Sequence, residues 1–167
     1  QNCGFKVIVA PTRELAQQIA DVVALFAEEQ SVALLCGGRD WETQRQRLEN
    51  GADWLIGTPG RLLAHLRQKN IDAEKCSLLV LDEADQLLEI GFLEEVGAIM
   101  AFLATRKQTV LVSATLPKGV QELADAGLRE PFVWQEKKRR INSAIKQNFI
   151  AAGKEDKANI LCGLINR

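Results

Sequence analysis

Short apolar runs alternate with longer amphipathic stretches along this chain, and the alternation predicts its elements. Phe5-Lys6-Val7-Ile8-Val9-Ala10 reads as a buried strand, stopped by Pro11. Thr12 then caps a helix whose Leu15, Ile19, Val22 and Phe26 share one face. Val32 to Cys36 is a second strand, broken by Gly37-Gly38, and Asp40 opens a polar helix that Gly51 stops. Trp54 to Gly57 is a third strand, and Thr58-Pro59 starts a helix with Leu62, Leu63 and Leu66 inward. The fourth strand is Ser77 to Asp82, followed by one helix holding Phe92, Val96, Ile99 and Leu103. Thr109 to Val112 is a fifth strand. Pro117 opens a helix with Val120, Leu123 and Leu128 inward, and Phe132-Val133-Trp134 is a sixth strand. Ile145 to Ala151 is strand-like again, and Lys154 to Asn166 is a short helix.

Strands alternating with helices imply an α/β fold with right-handed crossovers and a parallel sheet. The fourth strand, four consecutive aliphatic residues from Leu78 to Leu81, suits burial on both faces. Residues 137–140 are Lys-Lys-Arg-Arg within a strongly charged tract, which reads as a linker, with extra nucleic-acid contact or a nuclear signal as the other use of such a run. The expected division is 1–134, a charged linker 135–144, and the start of a second domain at 145–167. Because Gln1 leads almost at once into a strand, the chain reads as beginning partway through a fold.

Composition changes this picture little. A chain of 167 residues, 47% hydrophobic and 26% charged, has the make-up of a globular protein. No apolar run reaches membrane-spanning length, so no membrane partner is expected. A net charge of −1 neither requires nor excludes nucleic acid, since a binding edge can be basic locally. Cys3, Cys36, Cys76 and Cys162 are scattered, which argues against zinc and for a reducing, intracellular setting.

Candidate chemistry sits where the strands end. Pro11-Thr12-Arg13-Glu14, Gly37-Gly38-Arg39, Thr58-Pro59-Gly60-Arg61, Asp82-Glu83-Ala84-Asp85 and Ser113-Ala114-Thr115 each follow a strand. In a parallel sheet those exits share one edge, where open α/β folds bind ligands. Glycines, hydroxyls and arginines at helix starts offer N–H groups and positive charge to phosphate. Asp82 and Glu83 repel one another unless a cation such as nucleotide-bound magnesium neutralises them, a solvated acidic turn being the other reading. Phosphate-binding loops beside a carboxylate pair point to nucleotide hydrolysis next to a nucleic-acid strand.

At these five motifs the chain resembles the N-terminal core domain of DEAD-box RNA helicases, over nearly all of residues 5–134. The resemblance implies a RecA-like three-layer sandwich with a mostly parallel sheet, 145–167 being the entry to a second RecA-like domain. It implies an RNA-dependent ATPase that unwinds short duplexes or remodels ribonucleoprotein, with ATP and Mg2+ as cofactors. Asp82 would position the magnesium, mainly through water, and Glu83 would orient and deprotonate the attacking water. Asp85 would bond Ser113 and Thr115, coupling the nucleotide side to the RNA side. Pro11, Thr12, Arg13, Glu14, Gly37, Gly38, Thr58, Pro59, Gly60 and Arg61 would hold RNA backbone without regard to base sequence. The helix from Pro59 resembles the family's duplex-bending wedge.

The family's glycine-rich phosphate loop ending Gly-Lys-Ser/Thr is absent from these residues, and Gly153-Lys154-Glu155 does not replace it. The chain alone is therefore expected to bind ATP poorly and not to hydrolyse it. The competing reading is a non-catalytic RNA- or protein-binding module derived from a helicase core. Ala126-Gly127-Leu128-Arg129 with Pro131 is similar to eukaryotic members acting in ribosome assembly. That setting would allow the nucleus or nucleolus, with the cytoplasm otherwise. His65 reads as a plain surface or groove residue, and Trp41, Trp54 and Trp134 as packing rather than base-stacking residues.

Overall fold

In the computed structural model, which describes residues 4–27, 29–136, 149–151, 153 and 156–165, every strand pairing is parallel. The strands are β1 (Lys6–Val9), β2 (Val32–Leu35), β3 (Trp54–Gly57), β4 (Leu78–Leu81) and β5 (Gln108–Leu111). They form one sheet in the order β2-β3-β1-β4-β5, so β2 and β5 are outermost among the described residues. The helices between them are α1 (Arg13–Phe26), α2 (Trp41–Glu49), α3 (Pro59–Arg67), α4 (Ala84–Glu89), α5 (Leu93–Phe102) and α6 (Lys118–Gly127); α7 (Lys157–Ile165) comes last. The chain divides into two compact units, Gln1–Pro131 and Phe132–Arg167.

Alternate strand residues feed two apolar layers. Val7, Val9, Leu35, Leu55 and Leu81 pack with α3, α5 and α6 through Leu62, Leu66, Ile99 and Leu123. Ile8, Ala10, Leu34 and Ile56 pack with α1 through Ala16 and Ala20. Helix layers on both faces of a parallel sheet make the three-layer RecA-like sandwich.

Several elements depart from expectation. On α1 the buried residues are Ala16 and Ala20, while Val22 is 51% and Phe26 87% exposed. Two alanines four apart let the helix lie close to the sheet, with Leu15, Ile19 and Val23 half-buried beside them and Val22 and Phe26 turned outward. The single helix expected after the acidic cluster is two helices, because Gly91 at φ 99° ends the first and Phe92 caps the second. Phe132-Val133-Trp134 is not a strand, and its residues are 91%, 71% and 76% exposed. Pro131 just before it has no N–H to enter a ladder. Of the strand expected at 145–151, residues 145–148 lie outside the described residues, and Phe149 to Ala151 are not strand. Lys137 to Arg140, Cys3, Lys154 and Glu155 also lie outside them.

Candidate nucleic-acid and nucleotide edge

All five strand exits lie on one edge, and the strand order sorts them. Reading across the sheet, the exits of β2, β3 and β1 carry Gly37, Thr58 and Pro11 side by side. The exits of β4 and β5 carry Asp82 and Ser113. In the sequence Gly37 follows Pro11, whereas in space β3 lies between them. The phosphate-type loops therefore occupy one half of the edge and the carboxylates the other.

On the first half, an open groove of about 550 Å³ is lined by Pro11, Thr12, Arg13, Glu14, Gly37, Thr58, Gly60, Arg61 and Phe92. Gly38 and Pro59 stand just outside it. Thr12 caps α1, its Oγ1 accepting from the Leu15 N–H at 3.2 Å. Arg13, in the first turn of α1, lays its guanidinium across the glycine pair. A Cβ on Gly38 would come within 2.5 Å of Arg13 Nη1, and the residue sits at φ +77°. Arg39 reaches back to α1, donating from Nη2 to Gln17 Oε1 at 2.5 Å. Thr58 is the N-cap of α3 but makes no side-chain capping bond, and Pro59 fills the first helical position.

Three further residues support this half. Gln44, only 3% exposed, donates from Nε2 to the carbonyls of Cys36, Arg39 and Asp40 at 3.2, 3.3 and 3.2 Å, and so clamps the glycine turn from below. His65 is 0% exposed, which corrects its expected surface position. Its ring stacks on Trp41 with centroids 3.9 Å apart and planes 5° from parallel. Burial, with help from the charge of Arg61, pushes the His65 pKa down to about 4. Arg61 in turn lies over the Trp41 ring at 5.1 Å. Gln44 and Leu48 are four apart on α2, an inward spacing that could have flagged Gln44. His65, flanked by Leu62, Leu63 and Leu66, carried a similar signal.

The second half is built by short backbone bonds. Asp82 is held at its amide by the Val9 carbonyl at 3.0 Å, and Ala84 by the Val112 carbonyl at 2.9 Å. Asp82 Oδ1 accepts from the Glu83 N–H at 2.9 Å. Glu83 itself is left-handed, at φ 47° and ψ 54°, a conformation that costs a non-glycine residue about 1–2 kcal/mol. Asp85 Oδ2 accepts from the Thr115 N–H at 2.9 Å and from its hydroxyl at 2.6 Å. The Asp85 N–H donates to Ser113 Oγ at 3.1 Å. Those bonds, the Thr115 hydroxyl foremost, hold the Asp85 carboxyl below the usual carboxylate range. No group of three metal-ligating side chains occurs among the described residues. Asp82 and Glu83, adjacent and half-buried, suit a magnesium ion that keeps most of its waters and phosphate ligands.

A larger hollow of about 930 Å³ lies at the opposite edge, among Ser31, Asp53, Asn70, Lys75 and Ser77. It contains none of the motif residues, and its charges are mixed. Size alone does not make it the functional site.

Known proteins share this fold and much of its sequence. Residues 1–123 match the DEAD/DEAH box helicase family. The ATP-dependent RNA helicase DeaD of Escherichia coli is 41% identical over 128 residues, covering 75% of this chain and 20% of that protein. The ATP-dependent RNA helicase RhlB of Xanthomonas axonopodis is 36% identical over 167 residues, covering 96% of this chain and 29% of that one. The crystal structure of a DEAD box protein from Methanococcus jannaschii superposes with a TM-score of 0.72 at 29% identity, covering 98% of this chain and 45% of its own. The chain thus spans less than a third of the curated relatives it matches.

Proposed function

The chain belongs to the DEAD/DEAH box helicase family, and we propose that it is part of an ATP-dependent RNA helicase, an RNA-stimulated ATPase that unwinds or remodels RNA duplexes and ribonucleoprotein. The observation that carries this reading is the sorting of the edge. Phosphate-type loops occupy the β2-β3-β1 exits, and a carboxylate pair occupies the neighbouring β4 exit. The groove residues Thr12, Arg13, Gly37, Thr58, Gly60 and Arg61 would take RNA phosphates and riboses, with bases left unread.

At the other half, Asp82 would hold the nucleotide's magnesium, mainly through bridging water. The ion supplies charge neutralisation at the phosphates when bound. Glu83 would orient a water for in-line attack on the terminal phosphorus and take its proton. The new bond is water oxygen to phosphorus, and the bond that breaks is the one to the ADP oxygen. The left-handed backbone at Glu83 would let its carboxylate act apart from that of Asp82. Asp85, bonded to both Ser113 and Thr115, would couple the nucleotide side to the RNA side.

We further propose that residues 1–134 are part of the N-terminal core domain, that 135–144 link, and that 145–167 begin the second. ATP would then be cradled by a phosphate loop that these residues do not contain. The sequence relatives quoted are bacterial, which favours the cytoplasm over a nucleus. Ribosome assembly as the setting rests on the Ala126 to Pro131 segment alone.

The test is RNA-stimulated ATP hydrolysis by the full-length gene product beside its Glu83→Gln variant. RNA should raise turnover, and the variant should lose at least about 100-fold in kcat while still binding RNA with ATP. Full-length protein that binds RNA regardless of nucleotide, with no turnover, would make the chain a non-catalytic RNA-binding module instead.

A further inference from the structure

We propose that Trp41 and His65 are positioning residues that hold Arg61 in the RNA groove. This inference rests on the RNA-binding reading above and adds to it the means by which one contact is aimed.

An arginine that grips phosphate has to stand at the surface without a carboxylate to occupy it. Arg61 meets the second condition: among the described residues no acid forms an ion pair with it. Asp40 is close enough to feel its charge, yet the Asp40 carboxylate is taken by the Thr43 N–H at 2.7 Å. Something else must fix a long, flexible side chain, and the Trp41 ring does so. The guanidinium carbon stands 5.1 Å from the ring centroid, within cation–π range. This contact restrains the guanidinium plane while leaving its N–H groups unspent. The side chain is half-buried and lines the groove with Thr58 and Gly60; Nη1 is its enclosed end, without a hydrogen-bond partner, so a phosphate would be met by the rest of the guanidinium.

Trp41 is itself held by a second contact, the His65 ring, parallel at 3.9 Å. Arg61 and His65 are four residues apart on α3, so both reach the same Trp41 ring on α2. His65 is fixed in turn by Asn70, whose side-chain amide meets Nδ1 at 3.1 Å and whose backbone N–H donates to the His65 carbonyl at 3.0 Å. Burial keeps that imidazole neutral at ordinary pH, so no second positive charge pushes Arg61 away. Gln44, three residues along α2 from Trp41, ties the same helix to the glycine turn. The Gly37 turn and the Arg61 helix are thereby held in fixed relation through α2.

The test is binding of a fluorescein-labelled oligouridylate to the full-length gene product, followed by anisotropy over a range of salt concentrations. Trp41→Leu should weaken binding roughly 3- to 10-fold, the scale of a partly exposed cation–π contact. It should also flatten the salt dependence toward that of Arg61→Ala, by up to about 0.7 in the log–log slope. Trp41→Phe, which keeps an aromatic face, should restore both. In an Arg61→Ala background, Trp41→Leu should add no further loss. If it adds the same factor there, or leaves the slope unchanged, Trp41 acts on folding alone and the proposal is wrong. If Arg61→Ala itself leaves affinity and slope intact, the RNA reading of this groove falls and the proposal with it. Should Trp41→Leu not fold, His65→Ala runs through the same cycle with the same expectations.

Discussion

Gly57 and Gly38 are both glycines at strand exits, and they are glycine for different physical reasons. A Cβ on Gly57, the last residue of β3, would sit 2.1 Å from the Leu35 carbonyl oxygen of the neighbouring strand. Backbone cannot yield there without opening the sheet. Gly57→Ala should therefore lower the free energy of unfolding by about 1–3 kcal/mol, read from the urea midpoint. At Gly38 the obstacle is the end of the mobile Arg13 side chain, added to a positive φ. Gly38→Ala should cost about 1 kcal/mol of stability and show its larger effect on RNA affinity, because Arg13 is displaced from the groove. Equal effects of the two changes in both assays would mean that the turn is merely structural.

At the scale of the element, α3 carries a pH signature. Its His65 titrates at about 4 in the folded chain, against an ordinary 6.5. As pH falls below 6.5 the unfolded chain takes up a proton that the folded chain refuses. The stability tied to this neutral ring is thus complete above that range and lost as pH drops toward 4. Between pH 7 and pH 5 the loss should be on the order of 2 kcal/mol. His65→Phe, which preserves the stack without a titrating group, should flatten the urea-midpoint profile over that interval. An unchanged profile would mean the imidazole is charged or solvated in the native state.

The elements also mark what the sequence could disclose. Strands with four aliphatic residues and helices with a capped start were legible, because period and cap chemistry are local. The α3 core stripe Leu62, Leu63 and Leu66 was legible for the same reason. Misreadings arose where the partner decides. Periodicity located an apolar face on α1 but not which apolar residues meet the sheet, and the small Ala16 and Ala20 won over Val22 and Phe26. Three apolar residues at Phe132 signalled burial without supplying a neighbour. His65 lacked a sequence partner, yet the Trp41 that covers it lies on another helix. The motif residues were readable as types, but the order β2-β3-β1-β4-β5, which sorts them into two halves, was not.

For the whole molecule, the buried apolar residues found among the described positions run from Val7 to Leu123. All of them precede Pro131, where the first compact unit ends. A version ending at Pro131 removes none of this core, so it should unfold in a single cooperative transition with the m-value expected for one domain. A second transition, or a collapse of the first, would show that residues 132–167 contribute to the core.

Among the described residues β2 and β5 each have a strand neighbour on one side only, whereas β3, β1 and β4 are paired on both. The other side of each is a row of amide and carbonyl groups that a further extended segment can meet. Growth of this sheet is therefore confined to two strands. Each is four residues long, which limits any such pairing to a few hydrogen bonds.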